Sequence, residues 1–190
     1  MKPQRFVLLD RDGTLIAERN YLARVEEMEL LPNTLRGLRL LRDLGLGLIV
    51  LTNQSGLNRG YFDEAALEEI HAYLRRQLAD AGIELAGIYV CPHTPDEGCA
   101  CRKPEPGLAH RAAAECNFDA EESFVIGDKR CDIELGKRLG ATTFLVRTGY
   151  GAQCEQEGVR GDYTVADVLG AAQVICDLMR DDNKRCITDR

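Results

Sequence analysis

Short apolar runs alternate with segments of helical period along most of this 190-residue chain, and that alternation narrows the fold more than any other feature. Phe6 to Leu9 is an apolar run that closes on Asp10. Asn33 is placed to cap a helix reaching about Leu44, with Leu35, Leu38, Leu41 and Leu44 at helical spacing and Gly45 as its stop. Leu46 to Leu51 reads as the next strand, and Asp63 as the N-cap of a helix to about Ala81, stopped by Gly82. Ile88 to Cys91 is strand-like. Pro106 fits the first turn of a helix ending near Cys116. Phe124 to Ile126 is a strand that runs into Gly127-Asp128, and a helix follows to Leu139, stopped by Gly140. Thr142 to Val146 is a further strand, and a last helix is expected from Val165 to Met179.

Strands that alternate with helices form a parallel sheet covered on both faces. The expected fold is therefore α/β, a three-layer Rossmann-like sandwich occupying residues 1–180 as one domain, with a charged, frayed tail at 181–190. Such sheets bind ligands beyond the carboxyl ends of their strands. Asp10, Thr52-Asn53, the loop after Cys91 and Asp128 all fall at those ends. Four separate strands thus deliver polar chemistry to one edge.

The formal net charge of −7 argues against nucleic acid as a partner, because phosphate backbones require a cationic field. A protein of this charge that handles phosphate needs local cations or a metal. The apolar run near the N-terminus is cut by Asp10, too early for a signal-peptide core or a membrane span. A cytoplasmic monomer that acts on a small molecule, away from membranes, is the expectation. In that compartment the eight cysteines read as thiols or metal ligands rather than as a disulfide framework.

Acidic residues after a strand often do no more than form a turn. In Leu8-Leu9-Asp10-Arg11-Asp12-Gly13-Thr14-Leu15 the apolar run before and the Thr-Leu after narrow the reading. A carboxylate nucleophile splits phosphate hydrolysis into two steps through an acyl phosphate, and a second carboxylate beside it serves as acid and then base. Carboxylates about 4 Å apart repel by about 1 kcal/mol in water and by about 4 kcal/mol at an effective dielectric near 20. A hard divalent cation on oxygen ligands relieves that repulsion, and Mg²⁺ is the usual ion at phosphate sites. The hydroxyl of Thr52 and the ammonium groups of Lys103 and Lys129 are candidate phosphate clamps, and the Arg102 guanidinium suits a second anionic group.

Cys91-Pro92-His93 and Cys99-Ala100-Cys101 supply three thiols and one imidazole within eleven residues, the ligand set of a closed structural Zn²⁺ site. The loop runs straight into Arg102-Lys103, so a metal there would position those two cations. Cys116, Cys131, Cys154, Cys176 and Cys186 show no ligand spacing, and His71 and His110 read as surface or packing residues.

An apolar strand followed by Asp-x-Asp-Gly-Thr resembles the signature of the haloacid-dehalogenase-like phosphatases. Thr52-Asn53-Gln54-Ser55-Gly56, Cys91-Pro92-His93, Cys101-Arg102-Lys103-Pro104 and Gly127-Asp128-Lys129 sharpen the likeness. Together they are similar to the capless subgroup of histidinol phosphatases and heptose-bisphosphate phosphatases. The resemblance implies Asp10 as nucleophile and magnesium ligand. It implies Asp12 as acid/base and backbone magnesium ligand, Asp128 as the third magnesium ligand, and Thr52 with Lys103 as stabilisers of the phosphoryl group. It places substrate contacts at Arg11, Glu18, Arg19, Asn20, Tyr21, Asn53, Gln54, Ser55, Arg102 and Lys129, with Arg102 on a distal phosphate. Glu18-Arg19-Asn20 is not a strict match to the relatives, and the interval from His93 to Cys99 is short.

The gaps from Asp12 to Thr52 and from Thr52 to Lys103 are each filled by a loop, a helix and a strand. No room is left for a cap domain, so selectivity falls to the loops 16–31, 54–61 and 91–103. A heptose bisphosphate is the substrate the resemblance favours, and histidinol phosphate is the alternative. A reading from another class is a catalytically idle zinc-bearing binding module.

Overall fold

The computed structural model describes the backbone of residues 4–188 and the side chains of residues 4–181. Six strands carry the fold: β1 Phe6–Leu9, β2 Gly47–Asn53, β3 Gly87–Cys91, β4 Phe124–Gly127, β5 Thr142–Val146 and β6 Tyr163–Val165. Among the described residues six α-helices accompany them: α1 Thr34–Asp43, α2 Glu64–Ala79, α3 Gly107–Cys116, α4 Arg130–Leu139, α5 Gly151–Gln156 and α6 Val168–Thr188. The sheet order is β3-β2-β1-β4-β5-β6 and every pairing is parallel. The chain builds outward from β1 on one side and returns to lay β4 on the other. The β1–β4 junction is thus the point where strand order reverses and a crevice opens.

Alternation along the strands builds two cores. Val7, Leu9, Leu48, Val50, Phe124 and Ile126 face the side covered by α1, α2 and α6, meeting Leu38, Leu41, Ile70, Leu74 and Ile175. Phe6, Leu8, Ile49, Leu51 and Val125 face Leu108, Ala109, Ala112 and Leu135 of α3 and α4. Each such large side chain, fully buried, contributes about 1.5–3 kcal/mol. The segment between β1 and α1 is tied down by buried Leu15, Ile16 and Leu22, by isolated bridges from Ile16 to Asp12 and Leu30, and by the Thr34 hydroxyl donating to the Leu15 carbonyl. Among the described residues it is a strap over the sheet edge rather than a cap domain. None of the described helices is long and apolar enough to cross a membrane.

Three local expectations change. Asn33 precedes α1 in a left-handed conformation (φ 65°), and its side chain makes no cap hydrogen bond; its amide instead donates to Asp167, tying α1 to the start of α6. Val165 ends the short edge strand β6, paired with Val146, so α6 begins later than expected. α6 also continues through Thr188, so its backbone takes in much of the expected tail at 181–190; the side chains from 182 onward lie outside the described residues.

Candidate active site

Asp10 follows β1 and Asp128 follows β4, so the two carboxylates meet at the switch point. The approach is close enough to dictate glycine nearby. Gly13 (φ +85°) and Gly149 (φ +54°) each lie where a Cβ would come within 2.2 Å of the Asp128 Oδ2. Asp128 is fully buried, and its Oδ2 accepts the Tyr150 backbone N–H at 2.9 Å. Burial pushes its pKa up to about 8, reinforced by Asp10 and opposed by Lys129.

Lys103 enters from the loop after β3. Its ammonium lies 2.6 Å from Asp10 Oδ1, 2.7 Å from Asp132 Oδ1 and 2.7 Å from the Leu51 carbonyl, which uses all three donors. Burial opposes the charged form of Asp10, but Lys103 and then Lys129 outweigh it and hold the carboxylate below its usual range. Burial likewise opposes the Lys103 charge, and Asp10 and Asp132 overcome it, so the ammonium is held above its usual range. Asp132, in the first turn of α4, is oriented by the Lys129 backbone N–H on its Oδ2 at 3.0 Å. Its pairing with Lys103 comes only from the fold.

Lys129 reaches over the same carboxylates. Its ammonium is 2.7 Å from Glu18 Oε2, 3.3 Å from the Asp12 carbonyl, 3.8 Å from Asp128 Oδ1 and 3.9 Å from Asp10 Oδ2. Asp10, Asp128 and the Asp12 carbonyl are the three magnesium ligands expected from the sequence, and here they converge on a cation. One carboxylate oxygen each of Asp10, Asp128 and Asp132 also lie within 4.8 Å of one another. An all-oxygen donor set that already attracts an ammonium fits a hard divalent ion.

The cleft above this cluster is lined by Asp10, Asp12 and Lys103, by Glu18, Arg19, Asn20, Tyr21 and Leu22 of the strap, by Asn53, Gln54 and Ser55 after β2, and by Arg102, Lys129, Cys131 and Tyr150. Every substrate contact expected from the sequence is therefore on its wall except Arg11. The Arg11 side chain does not reach that wall: it is fully buried, and its guanidinium binds Asp12 and His71. Asn53 and Gln54 line the cleft, but their amides are engaged with protein. Asn53 accepts the Lys103 N–H at 3.0 Å and donates to the Lys103 carbonyl at 3.1 Å, clamping that backbone. Gln54 Nε2 lies 2.8 Å from Asp12 Oδ2 and 2.7 Å from the Thr52 hydroxyl. Thr52 itself is buried beneath that amide rather than on the wall. Tyr150 and Cys131 were missed, because neither belongs to any motif.

Beside the cleft, Cys91, His93, Cys99 and Cys101 form a tight cluster. Its sulfur–sulfur distances run from 3.3 Å (Cys91–Cys101) to 3.6 Å (Cys91–Cys99), and His93 Nδ1 is 3.3 Å from Cys101 Sγ. Ligands about 2.3 Å from a tetrahedral metal stand about 3.8 Å apart, so these spacings are slightly shorter than a tetrahedral site needs. Arg102 is bound to it twice, by its backbone N–H to Cys99 Sγ at 3.3 Å and by Nη1 to the His93 carbonyl at 3.0 Å.

A strand-end carboxylate pair, a buried lysine on the first of them and a third carboxylate across the switch point define a haloacid-dehalogenase-like phosphatase. A family model described as HAD-hydrolase-like matches residues 100–172. A D-glycero-alpha-D-manno-heptose-1,7-bisphosphate 7-phosphatase of Photorhabdus laumondii is 38% identical over 154 residues, 77% of this chain and 84% of that protein. A D-glycero-beta-D-manno-heptose-1,7-bisphosphate 7-phosphatase of Pseudomonas putida is 38% identical over 168 residues, 88% of this chain and 96% of that protein. The crystal structure of the D,D-heptose 1,7-bisphosphate phosphatase of B. bronchiseptica, complexed with magnesium and phosphate, superimposes with a TM-score of 0.86 at 33% identity, covering 92% of this chain and 99% of that one. This chain belongs to the haloacid-dehalogenase-like hydrolases and, within them, to the family of heptose-1,7-bisphosphate 7-phosphatases.

Proposed function

We propose that this phosphatase removes the 7-phosphate of D-glycero-D-manno-heptose 1,7-bisphosphate through an aspartyl-phosphate on Asp10. The observation that carries the reading is one cleft in which Asp10, Asp12 and Lys103 stand together while Arg102 lines the same wall. A bisphosphate needs that second cation, and Arg102 has its guanidinium braced on the His93 carbonyl.

In the first step an Asp10 oxygen bonds to phosphorus as the bond from phosphorus to the sugar oxygen breaks. Asp12 delivers its proton to that departing oxygen. In the second step Asp12 takes a proton from water, whose oxygen bonds to phosphorus and releases the Asp10 carboxylate. Lys103 offsets charge on the phosphoryl oxygens, joined by the Thr52 hydroxyl once Gln54 yields. Asp10, Asp128 and the Asp12 carbonyl would hold a Mg²⁺, which when bound supplies charge neutralisation for the carboxylates and the phosphoryl group. Cys91, His93, Cys99 and Cys101 would hold a structural Zn²⁺ that keeps Arg102 and Lys103 in place. Glu18, Arg19, Asn20, Tyr21 and Ser55 complete the sugar pocket. The domain spans residues 1–180 and works as a cytoplasmic monomer.

The test is phosphate release, with Mg²⁺, from both anomers of the heptose bisphosphate, fructose 1,6-bisphosphate and histidinol phosphate. A preference of about 100-fold in kcat/KM for one heptose anomer, about 2.7 kcal/mol in transition-state binding, is expected. A win for histidinol phosphate would refute the substrate assignment. Turnover that survives Asp10→Asn would refute the covalent route.

A further inference from the structure

We propose that Arg11 and His71 form a positioning device for Asp12; the inference rests on the acid/base role given to Asp12 above. Arg11 stands between nucleophile and acid/base in sequence, yet its side chain leaves the cleft for the interior and is fully buried. There its Nε donates to Asp12 Oδ2 at 3.0 Å and its Nη2 donates to Asp12 Oδ1 at 3.1 Å, a two-pronged grip on the neighbouring carboxylate. The third edge of the guanidinium is fixed as well: Nη1 lies 2.9 Å from His71 Nε2.

A guanidinium has donors only, so His71 Nε2 accepts, and the neutral ring carries its proton on Nδ1. Burial, with Arg11 and Arg75 beside it, lowers the His71 pKa to about 3, in keeping with a neutral ring. His71 sits on the buried face of α2, in line with Leu67, Leu74 and Leu78. The orientation of Asp12 is thereby referred to a helix packed on the sheet rather than to the loop that carries Asp12. Gln54 adds a third N–H from the cleft side.

This arrangement has a chemical consequence. An acid/base residue must present its carboxyl oxygens first to the departing sugar oxygen and then to water, and small misplacement lowers the rate more than it weakens substrate binding. Arg11 and His71 touch neither substrate nor phosphorus. Their loss should therefore appear in kcat and leave KM alone.

The test compares His71→Leu, His71→Gln and Arg11→Lys with the wild type, all loaded with Mg²⁺, on the phosphomonoester the wild type turns over best. His71→Leu should lower kcat about 10–100-fold, the range met when a group that orients a functional side chain is lost. Its KM should stay within about twofold of the wild type. His71→Gln, whose Oε1 can accept from Arg11, should recover most of the rate. Arg11→Lys, which cannot grip both oxygens, should lose rate as His71→Leu does, and it keeps the test open should His71→Leu fail to fold. Variants with lowered Tm but unchanged kcat per folded molecule would overturn the proposal and leave a purely structural pair. A rise in KM at constant kcat would overturn it in favour of substrate binding. A wild type without turnover of any phosphomonoester would overturn both this proposal and the function it rests on.

Discussion

The ammonium of Lys103 lies 2.6 Å from a carboxylate oxygen of Asp10, and neither side chain exposes more than 6% of its surface. Burial alone would strip the charge from either group, and each keeps it because of the other. The nucleophile of the proposed mechanism is thus kept ionised by the neighbour to which that mechanism gives the incoming phosphoryl group.

Lys103→Met should abolish phosphate release and also destabilise the fold. It leaves Asp10 and Asp132 buried without their shared counter-ion. Breaking a buried pair from one side costs about 3–5 kcal/mol. Urea unfolding in the absence of added metal measures this, and an unchanged midpoint would show that the carboxylates adapt by taking up protons.

Arg102→Ala should raise KM for a sugar bisphosphate more than for the matching monophosphate. A charge-assisted hydrogen bond contributes about 1.5–3 kcal/mol, so the difference should be about 10–100-fold. Steady-state kinetics on the two substrates provide the check, and equal losses on both would detach Arg102 from the distal phosphate.

Cys101→Ser removes the sulfur that stands nearest both Cys91 and His93 in the cluster. It should release one equivalent of zinc, lower Tm and reduce activity even when Mg²⁺ is saturating. Metal analysis of the purified protein with thermal melts tests this. Full activity and unchanged loop protection after zinc removal would contradict a positioning role for the cluster.

Stability should depend on pH through His71. Its folded-state pKa is lowered to about 3 by burial, then by Arg11 and Arg75, against about 6.5 in an unfolded chain. Above about pH 6.5 the ring is neutral in both states and nothing is lost. As pH falls through that value the unfolded chain takes up a proton that the folded protein refuses, so stability declines towards pH about 3. At about 1.4 kcal/mol per unit the window amounts to several kcal/mol. Chemical denaturation at pH 7 and pH 5 should show a shallower decline for His71→Gln than for the wild type; parallel declines would exclude His71 as the source.

Gly149→Ala should impair the oxygen cluster by crowding Asp128 while replacing none of its carboxylates. The added Cβ would lie 2.2 Å from Asp128 Oδ2 and 2.6 Å from the Gly13 Cα, at a φ of +54° that side chains tolerate poorly. Calorimetric Mg²⁺ titration is expected to show weakened binding. Unaltered affinity would mean that the loop shifts to accommodate the methyl group.

Much of this site could be read in the chain itself. Polar residues that follow buried strands must emerge at the carboxyl edge of a parallel sheet, so the sequence places Asp10, Thr52-Asn53, the loop after Cys91 and Asp128 on one edge. Close spacing did the same for Cys91, His93, Cys99 and Cys101, because four soft ligands within so short a loop have few other ways to be satisfied. Glycine and proline punctuation located most helices, since those residues act through local backbone geometry.

The elements that were missed lack such local signals. β6 has only Tyr163–Val165, and it exists because it pairs with β5 and stacks Tyr163 on Phe144. Val165 consequently ends a strand instead of opening a helix.

Side-chain direction was the other gap. Arg11 sits inside the motif and reads as a substrate contact, whereas the fold turns it inward onto Asp12 and His71. Asn53 and Gln54 read as cleft residues, and the fold engages their amides with Lys103, Asp12 and Thr52. What the sequence alone determined was which residues reach the strand ends, because hydrophobic periodicity and turn chemistry act between near neighbours. Only the tertiary structure decided which way each polar group turns, because that depends on partners far along the chain, such as His71, 60 residues from Arg11, and Lys103, 93 residues from Asp10, that chain order does not bring together.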